Sequence, residues 1–299
     1  MIPTFIPPQA NELTETTSIN LIRQIQYLPL PTELESHPIA TTFSCHGEDN
    51  GKPPFLLLHG FDSSLLEYRR LIPRLEHDRQ TWTMDLLGFG FTERRPTLPF
   101  SPEGIKTHLY EFWRSQINRP VVLVGASMGG ATAIDFALTY PETIAQLILI
   151  DSAGLTPKSI ASKFIFPPLD RLATNFLRSP KVRFNISKTA YADPKYASAD
   201  ACLCAELHLY TDNWDKALIA FTKSGGYGSF GPQLRQMQPQ TLILWGKQDK
   251  ILGIKPAYKF QKLMPQAQFH WIEKAGHVPH LEQPQITAEI ILSFLAGSA

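Results

Sequence analysis

The pentapeptide Gly125-Ala126-Ser127-Met128-Gly129, with Gly130 behind it, holds the residues best suited to covalent chemistry. A serine hydroxyl is too weak an acid to attack a carbonyl unaided, so a nucleophilic serine needs an exposed, strained position and a neighbouring base. Gly-x-Ser-x-Gly also arises by chance, as a helix start that merely packs well, and its weight comes from context. Pro120–Val124 reads as a strand, and Met128–Tyr140, stopped by Pro141, reads as a helix. The glycines then clear side chains from a tight strand-to-helix turn. Ser127 stands beside the free N–H groups of a helix N-terminus, which favour developing negative charge.

Two further segments supply what the serine lacks. Lys274-Ala275-Gly276-His277 follows the last apparent strand, and Trp245-Gly246-Lys247-Gln248-Asp249 follows the one before it. Asp249 comes 122 residues after Ser127, and His277 another 28 after Asp249. This is the order nucleophile, acid, base, with His277 taking the serine proton and Asp249 fixing its tautomer. His280 is a rival base, and Asp151, also at a strand end, a rival acid. The His277-x-x-His280 pair has no acidic partner at ligand spacing, so neither a metal nor another cofactor is expected. His59-Gly60-Phe61-Asp62 follows the run Phe55–Leu58. There the backbone N–H of Phe61, together with that of Met128, is expected to form an oxyanion hole, with His59 bracing the loop.

These residues need a frame that brings them to one edge. Short apolar runs recur at Phe55–Leu58, Thr81–Leu87, Val121–Val124, Leu147–Ile150, Leu242–Trp245 and Phe269–Ile272. Runs of that length suit strands buried on both faces, and segments of helical period such as Ile286–Leu295 lie between them. Ile22–Leu28 and Ile39–Cys45 read as an antiparallel pair in front. The class is α/β, with a mostly parallel eight-stranded sheet flanked by helices. From Leu155 to about Arg235 the alternation stops, which predicts a helical cap (155–235) inserted after the sixth strand. The core is then 21–154 and 236–299, behind a flexible stretch over 1–20.

Composition narrows the partners. Among 299 residues, 28 Lys and Arg face 27 Asp and Glu, a net charge of +1 that does not suit a general nucleic-acid binder. Three cysteines, Cys45, Cys202 and Cys204, are too few for a disulfide framework and read as packing residues. The first twenty residues hold no Lys or Arg, so no secretory or transit signal is expected, and the chain is expected on the cytoplasmic side, not secreted. No apolar run approaches the roughly 18–20 residues that span a bilayer.

Taken together, Phe61, Ser127, Asp249 and His277 in their settings resemble the α/β-hydrolase superfamily. Serine at the elbow argues against its haloalkane dehalogenases and epoxide hydrolases, which carry aspartate there. A closer resemblance, to the chlorophyll dephytylases of plants and cyanobacteria, runs from about Lys52 to Phe294. It is carried by His59-Gly60-Phe61-Asp62-Ser63-Ser64 with Glu67-Tyr68-Arg69, by Phe112-Trp113-Arg114-Ser115, by Ser224-Gly225-Gly226-Tyr227 and by Thr241–Gly246. That resemblance implies hydrolysis of the phytyl ester of chlorophyll, or of a related phytylated tetrapyrrole, to chlorophyllide and phytol. Phe61, Phe164, Phe166, Phe176 and Tyr227 are expected to meet the substrate. Between Leu155 and Ala190, Lys158, Lys163, Arg171, Arg178, Lys181, Arg183 and Lys188 oppose a single Asp170, a net +6 amid aromatic residues. Residues 156–190 are therefore expected to touch a membrane surface such as the thylakoid, or else to form an ordinary solvated cap. A general carboxylesterase, a C–C bond hydrolase on a smaller substrate, and a non-catalytic binding protein on the same scaffold remain the alternatives.

Overall fold

The structure is a computed structural model that describes residues 1–157 and 169–297, the side chains of 169 and 170 excepted. Its strands are β1 (Gln26–Thr32), β2 (Glu35–His46), β3 (Phe55–Leu58), β4 (Thr81–Met84), β5 (Val121–Ala126), β6 (Ile144–Ile150), β7 (Gln240–Gly246) and β8 (Gln268–Ile272). They form one sheet in the order β1-β2-β4-β3-β5-β6-β7-β8. The β1/β2 and β2/β4 pairs are antiparallel, and every pair from β4/β3 to β7/β8 is parallel. The crossovers among the parallel strands bring their carboxyl ends to one edge, where ligands of such sheets bind.

Strand alternation explains the unbroken apolar runs. Every residue of β3 and β5 is buried. Leu56, Leu58 and Leu123 point into a core shared with α3 (Pro102–Gln116), α4 (Met128–Thr139) and α9 (Lys255–Leu263). Phe55, Leu57, Val122 and Val124 point to the opposite face, against α1 (Thr16–Arg23), α2 (Ile72–Leu75) and α11 (Pro284–Ala296). Both faces are covered, so the parallel strands need no polar side.

The amino-terminal region departs from expectation. Ile22 begins no strand: Ser18, Leu21 and Ile22 are buried at helical spacing and belong to α1. The strand starts four residues later, at an edge where Pro29 and Pro31 lose no essential ladder bond. Nor are residues 1–20 loose. Ile6, Ala10 and Leu13 are buried, and the Asp200 carboxylate accepts the N–H groups of Thr14 (2.6 Å) and Glu15 (2.8 Å) and the Ser18 hydroxyl (2.6 Å). The run from Thr81 is a strand only to Met84, and Leu86 and Leu87 are buried in the turn that follows.

Between β6 and β7 the described chain forms α5 (Leu169–Arg178), α6 (Pro180–Ala190), α7 (Ala199–Glu206) and α8 (Trp214–Lys223). These helices hold no strand and pack over the carboxyl edge of the sheet. A short helix, α10 (Pro279–Glu282), follows β8 on the way to α11.

Candidate active site

The turn from β5 into α4 is built from close backbone contacts. A Cβ on Gly125 would fall 2.2 Å from the Gly129 carbonyl oxygen, and one on Gly129 would fall 2.0 Å from that of Leu58. Glycine alone permits such approaches. Ser127 sits between them at φ 52°, ψ −117°, a conformation that costs a non-glycine residue of order 1–3 kcal/mol. The surroundings hold it there: its N–H donates to the Ile150 carbonyl (3.0 Å), and its own carbonyl accepts from Ala153 (2.9 Å) and Gly130 (3.0 Å).

His277 is brought to the same place by the loop after β8, and its N–H donates to the carbonyl of Ala190 at the end of α6 (2.7 Å). Its Nδ1 lies 3.0 Å from Oδ2 of Asp249. A carboxylate there makes Nδ1 the protonated nitrogen and leaves Nε2 free to accept a proton. The other Asp249 oxygen receives the N–H groups of Ile251 (2.7 Å) and Leu252 (3.1 Å). Burial would raise the Asp249 carboxyl, but the His277 bond and these two N–H groups outweigh it, and the net shift is downward. Ser127 and His277 face one cavity of about 290 Å³.

The rivals make other contacts. Asp151 is fully buried, receives the Gly246 N–H on both oxygens (3.0 and 3.2 Å), and makes no bond to His277. Burial and the charge of Asp249 push its carboxyl well above the ordinary range. Asp151, Asp249 and His277 each offer one atom within 4.8 Å of the others, a spacing that could suit a cation. The N–H groups of Gly246, Ile251 and Leu252 already donate to these two carboxyls. His280 is buried against the Tyr68 ring (5.3 Å between centroids), with Nε2 3.2 Å from Glu67.

The loop after β3 closes the site. Gly60 approaches Ser127 so closely that a Cβ on it would lie 3.3 Å from the serine Cβ. Among the described residues, no acceptor meets the backbone N–H of Phe61 or of Met128, and both flank the serine. His59 braces the loop, its Nδ1 2.8 Å from the Gly60 carbonyl and its Nε2 accepting the Leu86 N–H (3.1 Å). Glu67 accepts the Gly60 N–H (2.9 Å). Burial works against the Glu67 charge, yet His280 and the Gly60 N–H hold its carboxyl down at about 2.

Asp62, at φ 51°, joins this loop to the inserted helices. Its buried carboxylate accepts from Trp214 Nε1 (2.7 Å), His208 Nε2 (3.0 Å) and Arg183 Nη2. Burial lowers the His208 pKa and outweighs the Asp62 hydrogen bond, which acts to raise it. Sequence reasoning missed this cluster, and it counted Arg183 among surface charges. Arg183 is instead 6% exposed and lies over the Trp214 ring. Arg178, Lys181 and Lys188 are exposed, whereas Lys158 and Lys163 lie outside the described residues. Of the side chains expected to meet substrate, Phe61 lines the cavity. Phe176 is exposed on α5 and Tyr227 packs between Phe221 and Phe230, neither lining it. Phe164 and Phe166 fall outside the described residues.

Comparison with known proteins gives a consistent picture. The sequence profile described as "Alpha/beta hydrolase family" matches residues 55–290. The chain is 29% identical over 300 residues to the alpha/beta hydrolase domain-containing protein VTE7 of Arabidopsis thaliana, covering 99% of this chain and 91% of the plant protein. It is 25% identical to Lipase 1 of Psychrobacter immobilis, over 88% of this chain and 84% of the lipase. Among solved structures it is similar to a meta-cleavage product hydrolase, with TM-score 0.73, 18% identity, and coverage of 91% of this chain and 98% of the other.

Asp62→Asn leaves Arg183 buried without its counter-charge, and at pH 7 should cost about 3–5 kcal/mol of stability, read from urea unfolding. Burial opposes the Asp62 charge, but His208, Arg183 and Trp214 together hold its carboxyl far below the ordinary range. A depressed carboxyl stabilises above its unfolded pKa, near 3.9, and that contribution fades as pH falls towards the folded value. Wild type and variant should therefore converge in acid. A gap that stays constant from pH 7 to pH 3 would mean that folding does not depress the Asp62 carboxyl.

Proposed function

The chain belongs to the alpha/beta hydrolase family, and from that premise we propose that it is a serine esterase that removes the phytyl chain of chlorophyll, or of a related phytylated tetrapyrrole. The observation that carries the esterase reading is the 3.0 Å bond between His277 and Asp249 at the cavity that holds Ser127. His277 Nε2 takes the Ser127 proton as Oγ attacks the ester carbonyl. The Phe61 and Met128 N–H groups receive the oxyanion. His277 then protonates the leaving alkoxide, releasing the alcohol, and water cleaves the acyl-enzyme by the same steps in reverse. Asp249 keeps the imidazole in the tautomer that can accept.

The substrate half of the reading rests on other features. The residues after β3 and in β7 resemble those of chlorophyll dephytylases, and similarity to the plant relative extends along nearly the whole chain. Leu177, Ile186, Val278 and Leu281 line the cavity, which suits an alkyl chain. At about 290 Å³ it lies at the small end for ligand sites, so a macrocycle stays at its mouth. Outside that mouth, Leu172, Phe176 and Phe184 are 58%, 65% and 47% exposed on α5 and α6, beside Lys181 and Lys188. An apolar face with a basic rim fits the surface of an anionic membrane, and among the described residues no helix is long and apolar enough to cross one. Taking the ester from that surface avoids exposing a phytyl chain to water, at ~0.8 kcal/mol for each CH₂.

A fluorophosphonate probe should label the chain at Ser127, and Ser127→Ala should abolish both labelling and ester turnover, the latter by about 10⁴-fold or more. Asp249→Asn should lower kcat about 10⁴-fold, and Asp151→Asn far less. Labelling that persists in Ser127→Ala would move the nucleophile, and a more damaging Asp151→Asn would reverse the acids.

Surface contact is tested apart from chemistry. Replacing Lys181 and Lys188 by Glu should weaken sedimentation with vesicles containing anionic lipid, by about 1 kcal/mol for each cation lost and more at low salt than at high. Binding that ignores both the substitutions and the salt would leave α5 and α6 as a solvated cap.

A further inference from the structure

The mouth of the cavity has a second apolar rim, formed by the loop that follows β7. Ile186 on α6 and Ile251, two residues beyond Asp249, both line the cavity, and they are 42% and 44% exposed. Ile254, three residues further on, is 41% exposed. Lys250 and Lys255 flank the stretch, both exposed and neither in an ion pair among the described residues. A single exposed isoleucine is ordinary on a folded surface. Two of them between unpaired cations, one also lining the cavity, form a pattern.

The loop is held so that these side chains stay outward. Asp249 Oδ1 accepts the N–H groups of Ile251 (2.7 Å) and Leu252 (3.1 Å), and Trp245 Nε1 donates to the carbonyl of Gly253 (3.1 Å), which sits at φ 71°. Leu252 packs against the core, while Ile251 and Ile254 on either side of it do not. Charge names the partner. Residues 247–262 hold five lysines and one acid. That acid, Asp249, is bound to His277, and Lys247 is paired with Glu273 (2.7 Å). Lys250, Lys255, Lys259 and Lys262 are left without an ion pair among the described residues. An anionic bilayer complements such a tip, its headgroups meeting the lysines and its acyl boundary the isoleucines.

We propose that residues 250–255 are a second membrane-docking edge, which together with α6 seats the mouth of the cavity on an anionic lipid surface. The proposal deepens the reading of α5 and α6 as a membrane contact, and rests on it for the first edge. Both edges are bonded to reacting groups. The loop is tied to Asp249, and the end of α6 receives the His277 N–H on the Ala190 carbonyl. A chain docked on both edges presents its site to lipid in one orientation, and an ester reaches Ser127 past Ile186 and Ile251.

Insertion is read by fluorescence. Ile254→Trp adds emission, measured against wild type, that chain-brominated lipid in vesicles containing anionic lipid should quench by about twofold or more. Tyr27→Trp, on the far edge strand β1, should add emission that the same lipid leaves unchanged. No quenching at position 254, or equal quenching at position 27, overturns the proposal. Replacing Lys250 and Lys255 by Gln should weaken sedimentation with these vesicles by about 30-fold, about fivefold for each cation. If replacing Lys181 and Lys188 weakens binding while replacing Lys250 and Lys255 does not, the second edge is overturned and the α5 and α6 contact stands. The reverse result keeps this edge and removes that contact. A dimer in lipid-free solution that Ile254→Asp dissociates would give the face to a second copy of the chain and overturn the proposal. None of these measurements needs turnover, so a failure to act on chlorophyll leaves them standing.

Discussion

The site depends on a place where backbones meet with no room for a Cβ. Gly129 lies against the carbonyls of Leu58 and His59, and Gly125 against that of Gly129. These contacts force β5 into α4 within one residue, and that residue is Ser127 at positive φ. The same approach sets the end of β3 beside the start of α4, so the Phe61 and Met128 N–H groups flank the serine without being spent on secondary structure. Strain at Ser127 persists because the carbonyl of Ile150 and the N–H groups of Gly130 and Ala153 fix it from both sides.

Around this elbow the chain buries charge where an apolar side chain would pack more cheaply. Glu67 holds the Gly60 N–H beneath the loop, and Asp62 gathers Arg183, His208 and Trp214 above it. Such groups are weak sources of stability but costly to leave unpaired, so they specify one arrangement. Through Asp62 the position of α6 and α8 is tied to the loop that packs against Ser127. His277 adds a second tie, because its N–H rests on the end of α6. The inserted helices and the reactive groups are thus one mechanical unit.

Much of this frame was legible in the chain itself. Phe55–Leu58, Val121–Val124 and Leu242–Trp245 announce strands because both their faces are buried, and the glycines around Ser127 announce the turn. Ile22 misled because an apolar residue at the joint between α1 and β1 fits either period. Asp151 and Asp249 both follow strands, and only geometry shows which one meets His277. The partners of Asp62 stand 121 to 152 residues away along the chain, and no local pattern encodes a contact of that range. Arg183 was misjudged for the same reason: a cation on a cap helix looks solvated until its buried carboxylate is seen.

What most directly tests the central claim is the product. Purified chain incubated with vesicle-embedded chlorophyll, followed by HPLC of pigments and lipids, should yield chlorophyllide and phytol in equal amounts, with neither formed by Ser127→Ala. Unchanged chlorophyll, from a preparation that still hydrolyses a short soluble ester, would contradict the account and assign the cavity to a smaller substrate.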